Sequence, residues 1–210
     1  MSLTREQLLS KPTNPFQPKA GSTATDILER MADTAFQGRQ LGQAFKTWRD
    51  MLADPECTIL MGMSGAMTPA GMRRLVRFMI ENRLIDVLTS TGANFFHDIH
   101  ETQGFFHYQG SPSLNDEMLG ENLVDRVYDV LADEEQFREH DRWVGRFAGG
   151  LEQRAYTTRS EFLYLLGKDL GTREGPRHRL DRGQGELSAF LSAIADSSIG
   201  IGLAQGLYLR

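Results

Sequence analysis

The sequence predicts an α/β fold in which helices flank a parallel sheet. Between Cys57 and Thr91 the chain runs apolar strand, glycine-bearing turn, amphipathic helix and second apolar strand, the order of a βαβ unit. Both strand runs end in turns that carry glycine, Gly62-Met63-Ser64-Gly65-Ala66-Met67 and Thr91-Gly92-Ala93-Asn94. The chain is also long and apolar enough to bury a core: 210 residues, 40% hydrophobic and 24% charged, which excludes wholesale disorder.

Taken in order, residues 1–22 hold three of the seven prolines and few periodic apolar positions, so they read as an N-terminal arm, with residues 23–210 as one domain. Ile27, Leu28, Met31, Ala32, Ala35 and Phe36 form one helical stripe, with Ser22 or Thr23 as its N-cap. After Gly38 a second stripe follows, Leu41, Ala44, Phe45, Trp48, Met51 and Leu52, and the two helices are expected to pack together. Cys57 to Met61 is a buried strand, and Thr68-Pro69 starts a helix with threonine as cap and proline in the first turn. The buried stripe of that helix is Met72, Leu75, Val76, Met79 and Ile80; Asn82 ends it, and Leu84 to Thr91 is the second strand. Val124 to Leu131 reads as a further β-branched stretch. Asp133 then caps a helix with Gln136 completing a capping box, and its stripe is Phe137, Val144, Phe147 and Leu151, with Trp143 alongside. A shorter helix, Arg159 to Leu170, is capped by Thr157 or Thr158 and closed by Gly171, and Ala189 to Ala195 reads as a strand. Residues 172–189 break the pattern, with four arginines and four Gly or Pro residues where an amphipathic helix should stand; they are a solvated loop or the trace of two compensating frame slips.

Charge and composition narrow the function. With 23 basic against 28 acidic residues the net charge is −5, which disfavours a nucleic-acid partner and suits a cationic small substrate. Cys57 is the single cysteine, so neither an internal disulfide nor a cysteine zinc site is available. No apolar run approaches the ~20 residues a membrane span requires, and the N-terminus lacks a signal-peptide core. The expectation is a cytoplasmic protein with no membrane partner.

The candidate sites follow from the strand ends. The Gly62–Gly71 region is not GxGxxG, so the dinucleotide fingerprint fails. Two glycine turns at the carboxyl edge of a parallel sheet, with free N–H groups at the Thr68 helix start, suit a nucleotide or phosphate as well as they suit plain turns. His97, His100 and His107 cluster with Asp98 and Glu101, and His140 lies in a helix. His97-x-x-His100 would put two imidazoles on one helical face, but no third ligand is clearly placed, so a metal-dependent hydrolase built on His97, His100 and Glu101 is disfavoured and no metal is expected. Asp196 caps a following helix or hydrogen-bonds a ribose hydroxyl or a ligand ammonium group. Ser197 and Ser198 lack a nucleophile elbow.

Five ordered segments then become recognisable. IDVLTSTGANFFHDIHE resembles the deoxyhypusine synthase family, and so do GMSGAMTPAGMRRLVRFMIENRLIDVL, ENLVDRVYDVLADEEQFREHDRWV, TRSEFLYLLGKDL and AIADSSIGIG. The chain is similar to the N-terminal part of the bacterial deoxyhypusine synthase-like branch. The resemblance implies a Rossmann-like parallel sheet, cut short on its C-terminal side, in a homotetramer that binds NAD. It further implies transfer of an aminobutyl or aminoalkyl group from a polyamine such as spermidine, through an imine on an enzyme lysine, to an acceptor amine: a protein lysine or putrescine. By position it assigns Gly65, Ala66, Met67, Thr68 and Pro69 to the first NAD-contacting turn, Thr91, Gly92 and Ala93 to the second, and Asp196 to a further NAD contact. Where the family has a pair of glutamates that hold the polyamine, this chain has Phe96 and His97; where it has a second aspartate, Ile201 stands. A different amine substrate is therefore implied, with His97 as a substrate-binding candidate. The family's catalytic lysine follows a Trp-Gly pair beyond Arg210, and none of Lys11, Lys19, Lys46 and Lys168 sits in that context. The alternative to the transferase is a remnant that only binds NAD or oligomerises.

Overall fold

The structure, a computed structural model, describes residues 3–154, 159–172 and 200–203. The chain divides into two compact units, Met1–Cys57 and Thr58–Arg210.

In the first unit the arm carries a single helical turn, α1 (Arg5–Leu8), where Thr4 and Gln7 form a reciprocal capping box. Beyond it the arm is tied down by the Asn14 N–H, which donates to the Asp33 carbonyl at 2.9 Å, and by Arg30, which donates to the Gln17 carbonyl at 3.3 Å. Helix α2 (Ala24–Met31) begins at Thr23, whose hydroxyl and backbone exchange bonds with Asp26, so the cap is Thr23 rather than Ser22. Helix α3 (Phe36–Ala53) packs on α2 through Gly42, its one buried residue. A Cβ at Gly42 would stand 2.2 Å from the Ala32 nitrogen and 2.7 Å from the Leu28 carbonyl oxygen, so this close approach requires glycine. The expected second stripe is not buried within the chain. Leu41, Trp48 and Leu52 are exposed, because α3 meets its short partner along a line that runs through Gly42 instead.

The second unit contains the parallel sheet. Strands β1 (Leu60–Met63) and β2 (Val87–Ser90) pair in register, Leu60 opposite Val87 and Met63 opposite Ser90; a strand at Gly200–Leu203 pairs with the other side of β2. Between β1 and β2 the connection is not one continuous helix. Thr68–Met72 forms a wide π-type turn that ends at Gly71, φ 85°, before α4 (Arg73–Glu81) resumes. Pro69 does stand in the first turn, but Thr68 lies inside it and its hydroxyl is committed elsewhere, so it does not act as the cap. Helix α4 buries Val76, Met79 and Ile80 and leaves Leu75 and Phe78 exposed. Thr91 leads directly from β2 into α5 (Gly92–Thr102).

A second sheet was not legible in advance. Strands β3 (Tyr108–Gln109), β4 (Val124–Val127) and β5 (Val130–Asp133) form an antiparallel sheet of order β3-β5-β4, with α6 (Asp116–Glu121) before β4. The stretch expected as one strand is thus a hairpin that turns at Tyr128-Asp129, with Tyr128 at φ 59°. Asp133 caps α7 (Glu134–Gly150) as expected, accepting from the N–H groups of Glu135 and Gln136, but the expected capping box is not completed, since Gln136 Oε1 has no hydrogen-bond partner among the described residues. Helix α8 (Arg159–Thr172) supplies Phe162, Leu163, Leu166 and Leu170 to the core alongside Ile80, Ile85 and Leu88. Each such buried side chain is worth about 1.5–3 kcal/mol relative to an exposed one. Strand β6 is Gly200–Leu203; Asp196, the strand expected at Ala189 to Ala195 and the arginine-rich stretch after Thr172 lie outside the described residues. Among the described residues no helix is long and apolar enough to cross a membrane.

Candidate functional site

Because β1 and β2 run parallel and in step, the turns after Met63 and Ser90 leave the same edge of the sheet, about 4.8 Å apart at their roots. Side-chain hydrogen bonds then join them. The Thr68 N–H donates to Asn94 Oδ1 at 3.2 Å, and its hydroxyl donates to the Asn94 carbonyl at 3.0 Å. The Asn94 amide donates to the Thr91 hydroxyl at 3.1 Å, and that hydroxyl donates to the Gly65 carbonyl at 3.4 Å. Thr68 and Asn94 are 2% and 0% exposed, so the two bonds between them lie away from competing water, while the Thr91–Gly65 bond is at the surface. The two turns are one rigid edge, and Asn94 is its keystone.

Above that keystone the edge is bare. Gly62, Gly65 and Gly92 have nothing within 4 Å of the place a Cβ would occupy. Gly65 stands at φ 66°, a conformation a side chain would strain. Thr91 is the N-cap of α5 but makes no side-chain cap bond, so the first N–H groups of the helix are left to face an incoming anion. An open glycine cradle beside an uncapped helix start fits the phosphates of a dinucleotide such as NAD. Of the sequence-assigned positions, Gly65, Ala66, Met67, Thr68, Pro69, Thr91, Gly92 and Ala93 are brought together here; Thr68 and Pro69 are buried behind the surface rather than on it.

One turn further along α5 the chemistry changes. His97 is 7% exposed, and His100 and Asp98 are 0% exposed. The His97 ring meets Phe96 and Phe137 edge-on at centroid distances of 5.6 and 5.7 Å, and His140 from α7 stacks on Phe96 at 4.3 Å. Burial, followed by mutual repulsion with neighbouring imidazoles, pushes His97, His100 and His140 down to about 4, so all three rings are neutral at pH 7. His140 has neither ring nitrogen hydrogen-bonded among the described residues, and His100 Nδ1 is likewise unpaired. His107 bridges His97 and Glu101, with contacts of 2.9 and 2.8 Å. On the other side of α5, Arg73 donates to Asp98 and to Thr102, both at 2.7 Å.

Sequence reasoning singled out His97 but missed Asn94, whose only signal was its place at the end of the second turn. It also missed the partnership of Phe96 and Phe137 with the imidazoles, since α7 is remote in sequence. Among the described residues no three His, Cys, Asp or Glu side chains are placed to hold a metal ion. Lys11, Lys19, Lys46 and Lys168 are all exposed.

Comparison with known proteins bears on the whole arrangement. Residues 26–206 match the family model of deoxyhypusine synthase. The Methanosarcina acetivorans protein named "Probable deoxyhypusine synthase 2" is 45% identical over 196 residues, which are 92% of this chain and 56% of that protein. The deoxyhypusine synthase-like protein of Chlorobaculum tepidum is 33% identical over 185 residues, 85% of this chain and 52% of that protein. The chain thus spans about half the length of the curated relatives it matches. A crystal structure of an Entamoeba histolytica protein assigned as a deoxyhypusine synthase superposes with a TM-score of 0.54 at 16% identity, covering 87% of this chain and 60% of that one, which speaks for a shared fold.

Proposed function

The chain belongs to the deoxyhypusine synthase family, and we propose that it binds NAD and a polyamine as part of a transferase that moves an aminobutyl or aminoalkyl group to an acceptor amine. The observation that carries the reading is the open edge over Gly62, Gly65 and Gly92, held rigid by the Thr68–Asn94–Thr91 bonds. In this reading the backbone of Gly65 to Met67 and the N–H groups of Gly92 and Ala93 hold the dinucleotide, because backbone donors around bare glycines let a phosphate approach closely. NAD supplies hydride acceptance when bound, which is what oxidation of an amine-bearing carbon requires.

The amine is assigned to the next turn of α5. His97, walled by Phe96 and Phe137, offers an acceptor nitrogen beside apolar ring faces, a pairing that suits an N–H group on a methylene chain. Asp196 is proposed as a further NAD contact by family position alone. Assembly as a homo-oligomer, a tetramer in the family, and a cytoplasmic setting belong to the same proposal, as does the division into an arm, 1–22, and a domain from residue 23 onward.

The test is a titration of the chain with NAD, read by the fluorescence of Trp143, which packs 6.5 Å from His140. Saturable quenching that Gly92→Val weakens is the expected result. No response at millimolar NAD would overturn the reading.

A further inference from the structure

The loop after α5 folds His107 back against the helix that carries His97, and three groups fall into line. Glu101 Oε1 stands 2.8 Å from His107 Nδ1, and His107 Nε2 stands 2.9 Å from His97 Nδ1. The line has a direction. An ionised carboxylate can only accept, so His107 carries its proton on Nδ1. When His107 carries that single proton, its lone pair is on Nε2 and His97 donates to it from Nδ1. The lone pair of His97 is therefore on Nε2, at the far end of the line. Among the described residues His97 makes no other hydrogen bond. His97 as a whole is 7% exposed, and its Nε2 is the one ring nitrogen of the two imidazoles not engaged within the line.

We infer that Glu101, His107 and His97 form a proton relay in which His97 Nε2 receives a proton from the amine substrate and Glu101 returns one to water. The inference rests on the amine reading above and adds to it a direction and two positioning residues. The proton balance closes without any change of oxidation state. The substrate N–H bond breaks as a bond forms at His97 Nε2. The Nδ1 proton of His97 passes to His107 Nε2, the Nδ1 proton of His107 passes to Glu101, and the partly exposed Glu101 releases it to solvent. A weak base suffices because the amine nitrogen becomes acidic only as it loses electron density during reaction. The titratable and charged groups around the relay are His100 on α5, His140 on α7, and Arg73, whose guanidinium lies 3.7 Å from Glu101. His97 meets the substrate; His107 and Glu101 act through it.

The experiment is nitrogen-15 NMR of histidine-labelled chain at neutral pH, with spermidine as the probe. Both His97 and His107 are expected in the Nδ1–H form, with the His97 Nε2 resonance moving as spermidine is added. In Glu101→Gln the spermidine-induced shift should fall roughly by half, because an amide offers donor and acceptor alike and no longer selects the tautomer. A proton on Nε2 of His97 in the wild-type chain overturns the relay without recourse to any variant. An undiminished shift in Glu101→Gln removes Glu101 from it. NAD titration of the same samples separates the two readings: if His97 is silent to spermidine while NAD binds, the relay fails. If NAD does not bind and the tautomers stand as expected with a spermidine response, the cofactor reading fails and the relay remains.

Discussion

At its first turn α5 meets Thr68, Thr91 and Gly65 through a chain of hydrogen bonds in which every polar atom of the Asn94 side chain is used. One turn later the same helix packs His97 and His100 against Phe96, Phe105, Phe137 and His140, with three ring nitrogens of that cluster left unpaired among the described residues. The first region is satisfied and open at its surface; the second is closed and under-satisfied. The difference teaches that rigidity and reactivity are separated along one helix. Satisfied hydrogen bonds hold the backbone cradle in place, while desolvated imidazoles remain neutral and available as acceptors.

The largest effect expected from that contrast is acid sensitivity confined to the imidazole end. His97, His100 and His140 sit near 4 when folded and near 6.5 when unfolded, so the unfolded chain binds more protons between those values. Stability is therefore fully present above about pH 6.5 and falls as the pH drops toward 4, by on the order of 3 kcal/mol for each ring. Denaturant melts across this range check it, and a flat profile would show the three rings to be solvated.

Breaking the satisfied end should cost nearly as much as one ring does. Asn94→Ala leaves the buried Thr68 N–H without its acceptor and frees Thr91 from the keystone, so a loss of about 2–3 kcal/mol is expected in the melt, along with NAD binding. Gly92→Val instead fills the cradle without disturbing the fold. Nothing stands within 4 Å of that position, so the melting temperature should barely move while NAD affinity drops about tenfold, near 1.4 kcal/mol.

The smallest effect has the opposite sign. His140→Phe replaces a ring with two unpaired, buried nitrogens by an apolar ring that can keep the stack on Phe96, and should stabilise the chain by about 1 kcal/mol. It should also flatten the acid profile. Equal stability and an unchanged profile would mean that water already satisfies His140.

Much of the satisfied end could be read from residue order. The apolar run of β2, the buried positions Val76, Met79 and Ile80, and the glycines at both strand ends follow from local periodicity and turn chemistry, whereas the buried strand expected over Cys57 to Met61 is instead Leu60–Met63, with Met63 its one buried residue. Where reading failed, the cause lay in bonds to distant residues. Thr68 had every mark of an N-cap, yet its hydroxyl is taken by Asn94, 26 residues on. The Tyr128-Asp129 turn carries no glycine, so the hairpin of β4 and β5 looked like one strand. Leu41, Trp48 and Leu52 have perfect spacing for burial and are nevertheless exposed, because spacing says which face is apolar and not what will cover it.

By itself the sequence determined the βαβ order, the two glycine turns and the family, since these depend on short-range periodicity and on residues that only one backbone conformation suits. Only the tertiary structure decided that the two turns form one edge, that Asn94 joins them, and that His107 faces both Glu101 and His97. The physical reason is that a hydrogen bond is a relation between two atoms in space. Either residue announces its own capacity to donate or accept, and neither announces its partner.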